Sequence, residues 1–365
     1  MEPTEIPAGR LHLRPWQAGD EPVLLASLED VHEQRWSYGL PAPVGPEQAR
    51  AYVQERAPGG WRSGEELAWA VCDSTSGRVL ADVALRNRGG GRWDVSYWCV
   101  PAERGRGVVP DALRAAVGFS FGALCAQRVE WMAEVGNFAS RRAAEKAGFR
   151  VEGVRRGVLQ TRKGPADAWL GAVLPQDPLE DTGRIASYAD RTDGVVTLRR
   201  WRSSDAADVA RACDDPETAR WLPVPVPYTL EVGQAYVDGI VPTQWADGAA
   251  ANVAAVDAAD GALLGAVGLT LREGIGEVGY WTAPWARGRG VAGRAATLHA
   301  GWGFEVLGLP RVELLADVEN LASQRVAERA GWQREGVARA ARPAPREPAL
   351  RRDMVIYARL PAQAM

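Results

Sequence analysis

The sequence predicts an α+β chain of two tandem domains, each a mixed β-sheet flanked by α-helices. Three observations lead there. At 365 residues the chain is too long for one small core and suits two domains of ordinary size. Its second half repeats its first. Within each half the apolar residues alternate as in strands, then recur at helical spacing, then alternate again.

The repeat is read from spacing. Leu13-Arg14-Pro15-Trp16 returns as Leu198-Arg199-Arg200-Trp201, and Asp20, Asp30 and Trp36 return at the same offset as Asp205, Asp215 and Trp221. The offset slips by a single residue at Tyr52/Tyr236, Trp61/Trp245 and Asp73/Asp257, and again from Tyr97-Trp98/Tyr280-Trp281 through Arg128/Arg311 to Asn137/Asn320 and Ser140/Ser323. Such slips are loop-length changes. With only 15 Trp in the chain, the aligned Trp pairs and two Arg-Gly-Arg-Gly copies in register mean duplication. The joint falls at 176–193, polar, acidic and punctuated by Pro and Gly, so the expected domains are 1–175 and 194–365 with that stretch as linker. Units of this length are not solenoid repeats, and each should carry its own core. An internal pseudo-dimer is expected, with a homodimer of the chain left open.

In the first half, 67–72 and 79–85 read as a strand pair joined by the turn 73–77, which 253–256 and 263–271 repeat. Next come a strand over 94–100, a Gly-rich basic turn, and a helix over 111–124. Residues 129–135 are β-rich, Asn137 caps a second helix, Gly148 closes it, and two short apolar runs end at Leu174. Trp36 and Trp221 are placed in the loop before the second helix; the other aligned tryptophans are expected in the core.

Composition narrows the function. No apolar run approaches the roughly 18 residues of a membrane span, and residues 1–10 lack a basic-then-apolar signal, so the expected compartment is the cytoplasm. A net charge of −3 provides no global field for nucleic acid, so any anion site has to be built locally. Four scattered cysteines without a Cys-x-x-Cys pair argue against zinc and against a disulfide scaffold, and no metal ligand set is expected.

Arg104-Gly105-Arg106-Gly107-Val108-Val109 and Arg287-Gly288-Arg289-Gly290-Val291-Ala292 each lie between a strand and a helix. Glycines admit a ligand close to the backbone, free amides at a helix start favour an anion, and the arginines add charge, so a pyrophosphate fits. A solvated basic turn is the alternative that the repetition in register disfavours. Neither the Walker ending nor Gly-x-Gly-x-x-Gly is present, which disfavours ATP and NAD.

The Arg-x-x-Gly-x-Ala pattern after a Gly-Tyr-Trp strand resembles the acyl-CoA signature of the GNAT superfamily of N-acetyltransferases. Asn320-Leu-Ala-Ser323, Ala330-Gly331-Trp332 and Glu335-Gly336, with Asn137-Phe-Ala-Ser140, Ala147-Gly148-Phe149 and Glu152-Gly153 in the first half, resemble the RimJ/RimL type of ribosomal-protein N-terminal acetyltransferase. The resemblance covers both halves. It implies acetyl-CoA as co-substrate, a primary amine as acceptor (a protein N-terminus or a small molecule), and a splayed sheet opening between the strand ending at Val100 or Ala283 and the one near Val129 or Val312. Backbone around Trp281, Thr282 and Ala283 would hold the acetyl end and Asn320 the pantetheine arm, with Trp98, Cys99, Val100 and Asn137 as counterparts. Plain helix capping is the other role open to the asparagines.

Acetyl transfer from a thioester needs a neutral amine, donors to the oxyanion and a proton for the thiolate. Many relatives use a Tyr on the helix after the asparagine, but Ala144 and Ala327 stand there, and the resemblance gives the acid's place to Ser140 and Ser323. These serines could instead satisfy their own helix turn. Glu277, with Asp94 in the first half, is the candidate base, the other reading being an ion-paired acid. RimL-type enzymes carry a later glutamate where this chain has Leu159 and Arg342, and Glu152 and Glu335 are read as structural. A sensor or scaffold that binds CoA without turnover is the alternative of another class.

Overall fold

The computed structural model describes residues 1–36, 45–161, 164–183, 188–272 and 274–361. The chain divides into two compact units, Met1–Gly183 and Arg184–Met365. Residues before the division are tied to the first unit: Thr182 Oγ1 donates to the carbonyl of Phe149 at 2.5 Å, and Asp181 pairs with Arg142. After it, Tyr188 packs edge-on against Trp245 and Trp302 of the second.

The first unit begins with β1 (Ile6–Ala8) and β2 (Leu11–Pro15), then α1 (Glu21–Glu29), α2 (Val31–Trp36), α3 (Pro46–Ala51) and α4 (Ala57–Ser63). A π-helical turn, Tyr52–Arg56, joins the last two helices. Then follow β3 (Glu66–Asp73), β4 (Val79–Gly89), β5 (Arg92–Cys99), α5 (Val108–Ala123), β6 (Arg128–Glu134), α6 (Phe138–Lys146), β7 (Arg150–Thr161) and β8 (Gly164–Val173).

The second unit runs β9 (Arg191–Thr192), β10 (Val196–Arg199), α7 (Ala206–Cys213), α8 (Pro216–Trp221), α9 (Leu230–Ala235), a π-helical turn Tyr236–Ile240, α10 (Val241–Asp247), β11 (Ala250–Asp257), β12 (Leu263–Arg272) and β13 (Ile275–Thr282). It ends with α11 (Val291–Glu305), β14 (Val312–Asp317), α12 (Leu321–Arg329), β15 (Gln333–Pro343) and β16 (Arg351–Arg359).

Each unit therefore has its own 8-stranded mixed sheet, in the order β1-β2-β3-β4-β5-β6-β8-β7 and its counterpart β9-β10-β11-β12-β13-β14-β16-β15. The central parallel pair of each sheet is short. β5 meets β6 only over Arg92–Asp94 against Arg128–Glu130, and β13 meets β14 only over Gly276–Val278 against Val312–Leu314. Beyond those rungs the strands part, leaving the expected V. One face of the first sheet carries the core beneath α5, with Trp69, Val83, Leu113 and Val129; the other carries Trp16, Ala49, Val53 and Ala70 beneath α1 to α4.

The duplication extends to single contacts. Arg14 forks onto Asp20 at 2.7 and 2.9 Å, and Arg199 onto Asp205 at 2.7 and 2.8 Å, each pair holding the chain where it leaves its strand for the first helix. Trp61 Nε1 donates to the Ala68 carbonyl and Trp245 Nε1 to that of Asn252. Arg128 bridges Glu130 and Glu152 as Arg311 bridges Glu313 and Glu335, which gives Glu152 and Glu335 the structural role expected of them.

Three expectations are corrected. The helix read over 111–124 starts at Val108, because Gly107 takes a left-handed φ of +79° and turns the chain into the helix three residues earlier, where Pro110 is harmless for lack of any required amide. Trp36 and Trp221 end helices α2 and α8 rather than lying in loops. The runs ending near Leu174 are a long hairpin of 12- and 10-residue strands, whose first strand is mostly exposed and so carries little apolar pattern. Among the described residues no helix is long and apolar enough to cross a membrane.

His299, on α11, is fully buried and stacked on Trp302 with rings 5.3 Å apart. Its Nε2 donates to the Ala251 carbonyl at 2.8 Å, and burial lowers its pKa to about 4. The unfolded chain binds this proton below about pH 6.5 and the folded chain only near 4, so stability is complete above 6.5 and is lost as pH falls between the two. We expect denaturant unfolding of the second unit to lose about 3 kcal/mol over that window, and His299→Phe to remove most of that slope.

Candidate active site

The mouth of each V is built by the turn between the parting strand and the next helix. A 3₁₀ turn, Pro101–Glu103, leads to Gly105 and Gly107 at φ +77° and +79°; Pro284–Ala286 leads to Gly288 and Gly290 at +77° and +75°. Side chains are strained at such φ, which is why glycine stands there. A Cβ added at Gly105, Gly288 or Gly290 would meet nothing within 4 Å, whereas at Gly107 it would come within 3.3 Å of Arg10 Nη2. The first helical bond runs from Asp111 N to Gly107 O in one unit and from Arg294 N to Gly290 O in the other. The amides of Val108 and Val109 are thus left for an anion, Pro110 having none, against Val291, Ala292 and Gly293 in the second unit. The backbone is open above Gly105, Gly288 and Gly290, a shape that fits a phosphate group.

The arginines of the turn serve the protein as well. Arg104 pairs with Asp30 at 2.6 Å, and Arg287 with Asp215 and with Thr218 Oγ1, binding each turn to the helices across the V. Arg106 meets Glu103 at 3.4 Å and Arg289 meets Asp257 at 2.8 Å.

Asn137 and Asn320 cap α6 and α12, accepting from Ser140 N at 3.1 Å and Ser323 N at 3.0 Å. Both serine hydroxyls then meet a tyrosine that sequence reasoning passed over. Tyr97 OH lies 2.9 Å from Ser140 Oγ, and Tyr280 OH lies 2.8 Å from Ser323 Oγ. Trp131 Nε1 also donates to Ser140 Oγ at 3.2 Å. Burial raises the Tyr280 pKa to about 12, so that hydroxyl keeps its proton at neutral pH. The Gly-Tyr-Trp strand was the available signal, hidden because the tyrosine comes from the strand and not from the helix after the asparagine.

The two candidate bases are ion-paired. Asp94 Oδ2 holds Arg88 at 2.6 Å while its Oδ1 is buried without a partner among the described residues. Glu277 is held by Arg342 and lies 3.9 Å from Arg272. Arg342 thus locks the second unit's candidate, and Leu159, its first-unit counterpart, is buried.

In the first unit the V opens into a cavity of about 1150 Å³ that reaches from the turn past Trp98, Cys99, Asn137 and Ser140 to Asp82 and Glu66 on the neighbouring strands. Asp82 was not anticipated. It interrupts the apolar run 79–85 of β4, and its counterpart in β12 is Ala266. That asymmetry was readable once the halves were aligned. Among the described residues no group of three His, Cys, Asp or Glu side chains is arranged to hold a metal.

A family model for the acetyltransferase (GNAT) domain matches residues 10–150 and again 196–333. The chain belongs to the GNAT acetyltransferase family. This GNAT tandem is 35% identical over 95 residues to the probable N-acetyltransferase YjcK of Bacillus subtilis, a match covering 25% of the chain and 52% of that relative, so it spans about half the relative's length. Similar solved structures include a ribosomal-protein-S5-alanine acetyltransferase from Vibrio fischeri (21% identity, 48% of this chain and 98% of that one, TM-score 0.42). Another is Mycobacterium smegmatis RimJ in complex with CoA-disulfide (20% identity, 48% and 89%, TM-score 0.41).

The second unit's turn has three amides before its first helical bond and the first unit's has two, and on that ground we propose that the second unit holds the tighter acetyl-CoA site. Gly290→Asp and Gly107→Asp would each set a carboxylate against phosphates held at the turn. In calorimetric titration of acetyl-CoA, Gly290→Asp should abolish the tighter of two binding events and Gly107→Asp the weaker.

Proposed function

We propose that the chain is an acetyl-CoA-dependent N-acetyltransferase acting on a primary amine. The observation that carries this reading is the parted strand pair, whose mouth holds free helix amides on one side and a Tyr–Ser hydroxyl pair on the other. Bound there, acetyl-CoA supplies the activated acetyl group. The turn amides, Gly107 to Val109 and Gly290 to Gly293, neutralise the phosphates and fix the depth of the ligand. Backbone groups of Trp98 to Val100 and Trp281 to Ala283, beyond the last ladder rung, hold the acetyl carbonyl. Ser140 and Ser323 each donate a proton to the departing sulfur, and the adjoining tyrosine replenishes it; a thiol of ordinary pKa near 8.5 needs no stronger acid.

A second reading applies to the second unit alone. Arg346, in the Pro-rich bend between β15 and β16, donates to the carbonyls of Ala219 at 2.7 Å and Val224 at 2.9 Å, drawing that bend onto α8, while Arg342 occupies Glu277. These contacts support a unit that binds CoA and turns over poorly.

Thiol release from acetyl-CoA, followed with a panel of amines, tests the reading; binding without amine-dependent release would favour the sensor. Ser140→Ala should lower kcat about 10- to 100-fold with acetyl-CoA affinity unchanged. Deprotonation at pH 7 costs about 1 kcal/mol for an α-amine and about 4 to 5 for a lysine. A peptide with a free terminus should therefore outrun the same peptide blocked there but carrying lysine, and the reverse order would remove the α-amine assignment.

A further inference from the structure

Asp82 is 4% exposed yet lines the cavity of the first unit. It sits opposite Trp98 in the β4–β5 ladder, at the start of the backbone assigned to the acetyl end. Trp16 Nε1 donates to its Oδ1 at 2.8 Å, and no group among the described residues donates to Oδ2. Trp16 also packs edge-on to Tyr52 and tilted to Trp98, both at 6.1 Å, so the carboxylate is set in an aromatic frame.

The second unit supplies a control within the same molecule. Trp201 packs on Tyr236 at 5.8 Å and on Trp281 at 6.4 Å, so the frame is reproduced. There Ala266 replaces the aspartate, and Trp201 Nε1 is buried without a hydrogen-bond partner among the described residues. The fold and the aromatic frame therefore do not require a carboxylate. A buried, half-satisfied carboxylate is costly to keep, and one kept in a single copy beside the reaction site points to use.

We propose that Asp82 receives the ammonium group of the acceptor amine in the first unit and takes a proton from its nitrogen, a site that the second unit lacks. The inference rests on the acetyltransferase reading. The N–H bond breaks as the Asp82 O–H forms, the freed lone pair makes the C–N bond, and the C–S pair leaves on sulfur. The sulfur is protonated through Ser140, Tyr97 replenishes that hydroxyl and the second nitrogen proton restores Tyr97, so that the net release is a single proton.

The surroundings suit the task. Burial raises the Asp82 pKa to about 7, against the Trp16 hydrogen bond, which favours the charged form; Glu66 also raises it, Arg86 lowers it and Glu33 raises it. Arg56 and Arg86 both pair with Glu66 at 3.4 Å, and Arg88 is taken by Asp94, so the flanking cations are engaged with other carboxylates. Tyr52, kept protonated by burial, completes the wall, and Glu55 also lines the cavity.

The full-length chain, saturated with CoA, is titrated with a free-terminus peptide and with its N-acetylated form; thiol release from acetyl-CoA is then measured from pH 5.5 to 9. Asp82→Asn, which keeps an acceptor for Trp16, should weaken binding of the free-terminus peptide at least 10-fold. It should lower kcat/KM about 100-fold and erase the acidic limb near pH 7, with acetyl-CoA affinity within 2-fold of wild type. Trp16→Phe, which removes the hydrogen bond and keeps the carboxylate, should move that limb to higher pH. Peptide binding that ignores Asp82→Asn, no discrimination between free and acetylated peptide, or a wild-type pH profile in Asp82→Asn overturns the proposal. Asp82-dependent peptide binding with no thiol release in the wild type overturns the acetyltransferase reading and leaves the ammonium site standing.

Discussion

A backbone hydrogen-bond ladder that stops after three rungs is the constraint on which each unit depends. Peptide groups inside a sheet require partners, and an edge that loses them must find others or face a ligand. The edge of β5 beyond Asp94 and that of β13 beyond Val278 are in this position. The tyrosine of each parting strand reaches instead to a serine on the helix after the next strand.

The turn follows from the same parting. A strand that leaves its neighbour has to start a helix abruptly, and two left-handed glycines separated by an arginine allow this without steric cost. The helix then presents its unbonded amides to the mouth. Arg104 and Arg287 reach back to aspartates at the start of α2 and of α8, so the ligand turn and the helices across the opening are positioned together. The Gly-rich turn and the facing helices are thus held by one set of contacts.

Duplication has preserved this frame and released its contents. Buried ion pairs, caps and tryptophan hydrogen bonds recur between the units, since losing one partner of a buried pair costs about 3 to 5 kcal/mol. Two residues that line the first unit's cavity differ in the second: Asp82 stands against Ala266 and Pro110 against Gly293. Substitutions there alter a cavity wall rather than a close-packed core, so the fold tolerates them and chemistry decides which remain.

The sequence by itself determined the duplication, the order of elements, the family and the asparagine caps, because each depends on residues close along the chain or on periodicity. Asp94 and Glu277 were legible as strand carboxylates, but the partners that engage them, Arg88 and Arg342, lie 6 and 65 residues away. Asp82 stands in an apolar strand, and its setting comes from Trp16, 66 residues earlier, and from Trp98 on the next strand. Tyr97 and Tyr280 meet serines 43 residues downstream. Only the tertiary structure decided which of these acids an arginine engages and which is held by a tryptophan in the cavity wall, because a carboxylate's chemistry is set by the charges and solvent that folding brings to it.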